Sequence, residues 1–362
     1  MSRPELVTAG VRVSVAPGID GRQYAALCAA AGETPSPGDA SPDLVIDALG
    51  DVPAENDLNP VSRGVWTCRE GVLFQSVGGS GYTQLWQIPP RAAGAAPAVR
   101  VSSHWSPSAA SAAAARLLPQ RQRALRSQVL LHYPAMWTAL AAHGMTPVHV
   151  SLVEVDGVAV LLAGPGGIGK STLVADALAH GARAVCDNLA VSDGHTVHGL
   201  LEPMRLPRDT PAPGGAGASS RTARATHGRR EHRWPGRLAS ACPQLVVVVR
   251  RDDRGATRVR PVSDAAAARA LVGGTYAAGE LQRFWPLVAH LALAGEGPVH
   301  VPLRHTAARL TGDLPCYELT LGGEPPAPSE RGRLAALLAT EIDAVQRELA
   351  PATVHQPEGS AL

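Results

Sequence analysis

The sequence predicts an α/β protein in which a strand, a glycine-rich loop and a helix follow a β-rich N-terminal unit. Three observations predict it. An apolar strand at 158–163 runs into the glycine-rich stretch 164–172, and a helix follows; a second apolar run, 245–249, has the length of a buried strand; and residues 1–120 break into short apolar segments separated by Gly and Pro.

A chain of 362 residues predicts two units, each able to bury a core of its own. The expected division is a β-leaning domain at 1–120, a phosphate-loop domain at 121–350 containing an Arg-rich loop at 207–237, and a disordered tail at 351–362. In the first unit the strand candidates are 11–15, 43–49, a hairpin over 65–76, 83–88 and 98–102, with a helix candidate at 21–31. Helical spacing at 108–118 and 124–143, the latter through Val129, Leu130, Met136 and Leu140, predicts a bridge into the second unit. After the strand 158–163 and its loop come a helix at 171–180, a strand at 184–186 and a hairpin turning at Asp193-Gly194. The remainder reads as strand 245–249 with 258–262 as its partner, helices 264–272 and 281–294, strand 316–321, and a closing helix 331–349 capped by Ser329.

Composition excludes several classes. The formal net charge of +2 offers no global attraction to nucleic acid or to an anionic membrane, so neither is an expected partner and any anion site must be local. Cys28, Cys68, Cys186, Cys242 and Cys316 lie far apart with no CxxC pair, which argues against a disulfide framework and against a zinc site. Residues 1–10 lack a basic region followed by an apolar core, and no apolar run approaches a membrane span. Cytoplasmic location is the expectation.

The chemistry concentrates in Gly164-Pro165-Gly166-Gly167-Ile168-Gly169-Lys170-Ser171-Thr172, which fits GxxxxGK[ST] between a strand and a helix. The glycines allow backbone N–H groups to converge on phosphate oxygens, and the helix N-terminus adds its positive end. Lys170 is the only lysine among 33 basic residues, and the loop needs a compact ammonium where a guanidinium is too bulky. Ser171 supplies a hydroxyl for Mg2+, so the expected ligands are ATP and Mg2+. Phosphoryl transfer to a hydroxyl also needs a carboxylate near the attacking oxygen. Asp187, at the end of the strand 183–186, is the candidate, because parallel strands beside the loop deliver their C-terminal residues to one edge; the same Asp-Asn pair also reads as a turn former. His149, opening the strand pair before the loop, reads on its own as a structural residue as readily as a catalyst. The Arg-rich stretch reads either as a solvated loop or as a flap over an anionic substrate.

In register, His149, Glu154, Gly157, the loop 164–171, Gly181 and Asp187-Asn188 resemble the HPr serine kinase/phosphorylase superfamily of P-loop kinases over about forty residues. The resemblance implies a P-loop kinase core of the HPr kinase type, a mixed sheet flanked by helices. It also implies Asp187 as general base toward a serine or threonine hydroxyl and as a tentative metal ligand beside Ser171, with His149 beside the transferred phosphate. Asn188 stands where the family has a second acid, and the segment associated with phosphorolysis is not found, so phosphorylase activity is not expected. Residues 197–207 and 314–319 look more like the divergent HPr-kinase-like proteins of ribosomal peptide-modification cassettes, of the lasso-peptide and SynChlorMet types. That likeness implies a peptide or protein acceptor, such as a ribosomal peptide precursor, with Arg205 and Asn188 toward phosphates or substrate. The expected activity is an ATP-dependent kinase; the alternatives are an ATP-binding accessory protein of a peptide-modifying system, or a small-molecule kinase using Arg250 and Arg251. A homo-oligomer is among the expected assemblies.

Overall fold

The computed structural model describes residues 5–16, 41–89, 98–208, 210, 223–224, 229–323 and 332–349. The N-terminal strands are β1 (Glu5–Thr8), β2 (Val11–Val15), β3 (Leu44–Ala48), β4 (Asn59–Ser62), β5 (Val65–Cys68), β6 (Gly71–Phe74), β7 (Tyr82–Gln87) and β8 (Val99–Trp105). They form one sheet in the order β1-β2-β3-β8-β7-β6-β5-β4. Every strand expected there is present. The additions are β1 and β4, the two edges, each too short for an alternating pattern to register. The helix expected at 21–31 lies outside the described residues, as do Ser329 and the tail 351–362.

Helices α1 (Ala109–Leu117) and α2 (Pro119–Ser127) lead through a π-helical turn, Gln128–His132, into α3 (Tyr133–His143). Ser108 caps α1 by accepting the Ser111 N–H at 3.2 Å. Gly144, in the left-handed conformation, ends α3. Buried faces of the N-terminal sheet (Val13, Ile46, Trp86, Val101) share one core with Leu131, Met136 and Trp137.

Next come β9 (Thr146–His149), β10 (Ser151–Val155), β11 (Val158–Ala163), α4 (Lys170–Ala179), β12 (Arg183–Cys186), β13 (Leu189–Ser192) and β14 (Val197–Gly199). They are followed by β15 (Met204–Leu206), β16 (Ala223–Arg224), β17 (Arg230–His232), β18 (Ser240–Ala241), β19 (Leu245–Asp252) and β20 (Arg258–Pro261). The chain finishes with α5 (Asp264–Tyr276), α6 (Phe284–Leu293), α7 (Leu303–Gly312), β21 (Cys316–Gly322), α8 (Arg333–Leu337) and α9 (Ala339–Leu349). A six-stranded mixed sheet, β12-β10-β11-β19-β21-β20, forms the centre, with β11, β19 and β21 parallel.

Both faces of that sheet are covered, which is why its central strands read as continuous apolar runs. Val160, Leu162, Val247 and Val249 pack on Leu173 and Val174 of α4 and on Leu338 and Ile342 near the C-terminus. Leu161, Val246 and Val248 face Leu271 of α5 and Leu310 of α7. Each such Val or Leu contributes about 1.5–3 kcal/mol by burial. The architecture is therefore α/β, with mixed sheets flanked by helices.

Three expectations need correction, and one helix is new. Residues 258–261 pair antiparallel with β21, not with β19, because β21 enters between them. The closing helix is two segments broken at Leu338, and its described start has Gly332 in the cap position. The stretch 207–237 is not one continuous loop: β17 lies within it and pairs with β15 and β16. Finally, α7 is absent from the sequence reading.

Candidate functional site

The phosphate-loop sequence sits at the C-terminal end of β11. A Cβ on Gly164 (φ +141°) would stand 2.8 Å from the Val249 carbonyl oxygen, so only glycine lets the loop leave along β19. Gly167 and Gly169 also take positive φ, while Gly166 does not. Pro165, Gly166 and Gly167 are exposed; Ile168 packs against the central core. Thr172 follows as part of the first turn of α4, its N–H bonded to the Gly169 carbonyl at 3.1 Å.

Lys170 opens α4 and is buried, 5% exposed. Its Nζ donates to the carbonyl oxygens of Gly164 at 2.7 Å and Pro165 at 3.0 Å. Burial pulls its pKa down to about 8, against the opposing charges of Asp187 and Glu280.

His149 closes β9 instead of opening a strand, and β9 belongs to a separate antiparallel sheet, β18-β14-β13-β9. The chain changes sheets between β9 and β10, and again between β12 and β13. The two crossings lie side by side: Val150 N–H donates to the Asn188 carbonyl at 3.1 Å, and Ser151 Oγ donates to the Asp187 carbonyl at 3.0 Å. Nor is β12 adjacent to β11, since β10 lies between them. Two antiparallel pairings restore the direction of β11, so Asp187 still reaches the loop edge.

Asp187 is buried, and burial raises its pKa to about 6 despite Arg205, a hydrogen bond from the Ser171 side chain, Arg229 and Lys170. His149 is buried as well; burial first and Lys170 second hold its pKa down to about 4, so the ring is neutral. Its Nδ1 has no hydrogen-bond partner, and the ring is flanked by the Asn188 side chain and the Gly274 backbone. The Thr275 hydroxyl accepts the His149 N–H at 3.0 Å and donates to the Leu271 carbonyl at 2.8 Å, which anchors the end of α5 to the site.

Arg205 joins from β15. Its guanidinium donates to Glu202 at 3.0 Å and lies 3.7 Å from Glu280. Glu202 is buried and its pKa rises to about 7 through burial, with Arg205 opposing and Asp187 and Glu280 reinforcing. Buried Asp187, Glu202 and Lys170, with the partly buried Arg205 and Glu280, thus form one cluster in mutual electrostatic reach. The loop, Lys170, Ser171, Asp187, His149, Asn188 and Arg205 all meet in this region.

Sequence reasoning misses Glu202, Glu280, Thr275 and Gly274. A signal exists for the first: an acid inside the apolar run Leu200-Leu201-Glu202-Pro203-Met204 is a buried charge in need of a partner. Arg250 and Arg251, candidates for an anionic acceptor, are instead bonded to Glu318 and Asp253, both at 2.6 Å.

The residues fit a triphosphate: a loop opened by positive-φ glycines, a helix N-terminus and one buried ammonium. Among the described residues no group of three or more His, Cys, Asp or Glu is placed to hold a metal alone. Ser171 and Asp187 would hold Mg2+ together with phosphate oxygens and water, the usual manner for this ion. No helix among the described residues is long and apolar enough to cross a membrane.

No family model and no curated protein matches the chain. Among solved structures it is similar to the Hpr(Ser) kinase/phosphatase from Coxiella burnetii, at 11% identity over 56% of this chain and 92% of that one, with a TM-score of 0.24.

Proposed function

We propose that this protein is an ATP-dependent, HPr-kinase-like enzyme that transfers the γ-phosphoryl group to a hydroxyl, on a serine or threonine of a peptide or protein. A ribosomal peptide precursor is the acceptor class to try first, and the cytoplasm its place of action. The observation that carries the proposal is the convergence of Lys170, Ser171 and a buried, charge-coupled Asp187 at the N-terminus of α4.

ATP with Mg2+ would supply the transferable group and neutralise charge on it. The chain's own residues supply the rest. Backbone N–H groups of the loop and Lys170 hold phosphate oxygens; Asp187, once ionised, accepts the proton of the attacking hydroxyl. Arg205, held by two carboxylates, keeps positive charge beside Asp187 and favours that ionised form. His149 is neutral, so it adds no second cation beside Lys170.

Mass spectrometry of a Ser/Thr-containing precursor peptide incubated with protein, ATP and Mg2+ tests this directly. Gain of one phosphate on the peptide is the expected result. A second reading, a nucleotide-binding accessory protein that moves no phosphate, draws on Asn188: the second acid is replaced by an amide engaged with His149. Nucleotide binding without transfer to any peptide would favour it.

A further inference from the structure

The turn between β1 and β2 is buried where hairpin tips are ordinarily exposed. Ala9 has φ +55°, a left-handed conformation uncommon for a non-glycine residue, and is 0% exposed. Gly10 follows with φ +68°, and a Cβ there would meet the His198 ring at 3.1 Å. This tip is pressed onto the end of β14 and the segment that leads from it to β15. Ala9 N–H donates to the Gly199 carbonyl at 3.0 Å, and the Thr8 hydroxyl accepts the Leu201 N–H at 2.8 Å.

Leu201 is also held from its other side. Its carbonyl lies 3.1 Å from Nε2 of His132, on the π-helical turn, and Trp234 donates to the next carbonyl, that of Glu202, at 2.7 Å. His132 and Thr8 are buried. The residue fixed by this bracket is Glu202, whose carboxylate bonds Arg205 and acts electrostatically on Asp187. Local strain and π-turns concentrate at functional positions because surrounding structure must hold them.

We infer that Thr8 and His132 are positioning residues: the N-terminal sheet braces Leu201 so that the Glu202–Arg205 pair stands in register with Asp187. The inference rests on the proposed kinase reading for its catalytic consequence, but not for its structural one. Thr8→Val keeps the shape and removes the acceptor, leaving the Leu201 N–H buried without a partner; Thr8→Ser keeps the acceptor.

Two measurements on the full chain decide it. Hydrogen exchange read by mass spectrometry should rise at least fivefold in the 199–206 segment of Thr8→Val, stay unchanged in the loop 164–172, and return to wild-type rates in Thr8→Ser. Peptide phosphorylation should show kcat down about tenfold with KM for ATP unchanged in Thr8→Val, and wild-type kcat in Thr8→Ser. Unchanged exchange at 199–206 overturns the brace whatever the kinetics. Raised exchange with unaltered kcat overturns the positioning role. If wild-type protein transfers no phosphate at all, the kinase reading fails and takes the catalytic consequence with it, while the exchange result still decides the brace.

Discussion

The ammonium of Lys170 is bonded to the carbonyl oxygen of Gly164, six residues earlier, at 2.7 Å. The loop is therefore folded around its own cation, in the position from which the cation can be offered to phosphate. A guanidinium is planar and larger, and Lys170 is only 5% exposed, with its Nζ between the Gly164 and Pro165 carbonyls. Lys170→Arg and Lys170→Ala are each expected to weaken binding of a non-hydrolysable ATP analogue at least about tenfold, consistent with loss of a charge-assisted hydrogen bond. Isothermal calorimetry checks it.

Asp187 is expected to set the acid limb of catalysis. The base must be ionised, so kcat/KM should rise about tenfold per pH unit below its pKa of about 6; loss of the Lys170 proton near pH 8 should bring the rate down again. The predicted profile is a bell with its optimum near neutrality. Asp187→Asn should leave analogue binding intact and cut transfer by about 10²–10⁴-fold. Full activity in that variant would remove Asp187 from the role of base.

The same carboxyl should destabilise the fold when ionised. Its pKa is raised from 3.8 to about 6 by burial, so the folded state holds the proton more tightly than the unfolded state. The stability linked to that proton is fully present below pH 3.8 and is lost as pH rises through about 6. Asp187→Asn should therefore gain stability over wild type on the order of 1–3 kcal/mol at pH 8, and less at pH 4. Urea denaturation at the two pH values measures the difference.

Much of the fold was open to sequence reasoning where a local requirement speaks for itself. The strand, loop and helix at 158–179 announce themselves because glycines at fixed offsets have a steric job, and the apolar run of β19 because both its faces are covered. Asp187 is found from its place at a strand end. Pairing order is another matter: proximity in sequence pairs β20 with β19, and nothing local says that a strand from 316–322 enters between. Helix α7 does carry apolar Leu303, Ala307 and Leu310 at helical spacing, a signal diluted by its Arg and His residues. Glu280 and Thr275 reach the site from an element more than a hundred residues beyond the loop, and an isolated Glu or Thr has no pattern to betray it.

Adjacent glycines in α5 offer a matched pair of tests. Gly274 packs on the phosphate loop, and a Cβ there would stand 2.8 Å from the Gly164 carbonyl oxygen; around Gly273, which is exposed, nothing lies within 4 Å. Gly273→Ala should stabilise the helix by roughly 0.5–1 kcal/mol and leave nucleotide binding alone. Gly274→Ala should displace the loop and weaken analogue binding about tenfold, a cost typical of overpacking. Chemical denaturation and calorimetry on both variants distinguish the two effects, and equal binding by both would mean that α5 does not support the loop.

Whether this cradle takes a triphosphate is best measured by a crystal structure with a non-hydrolysable ATP analogue and Mg2+. The predicted result is a triphosphate against the backbone N–H groups of 166–171, with Lys170 Nζ moved from the Gly164 and Pro165 carbonyls to phosphate oxygens. An analogue bound elsewhere, or Lys170 still closed on its own loop beside a bound analogue, would contradict it.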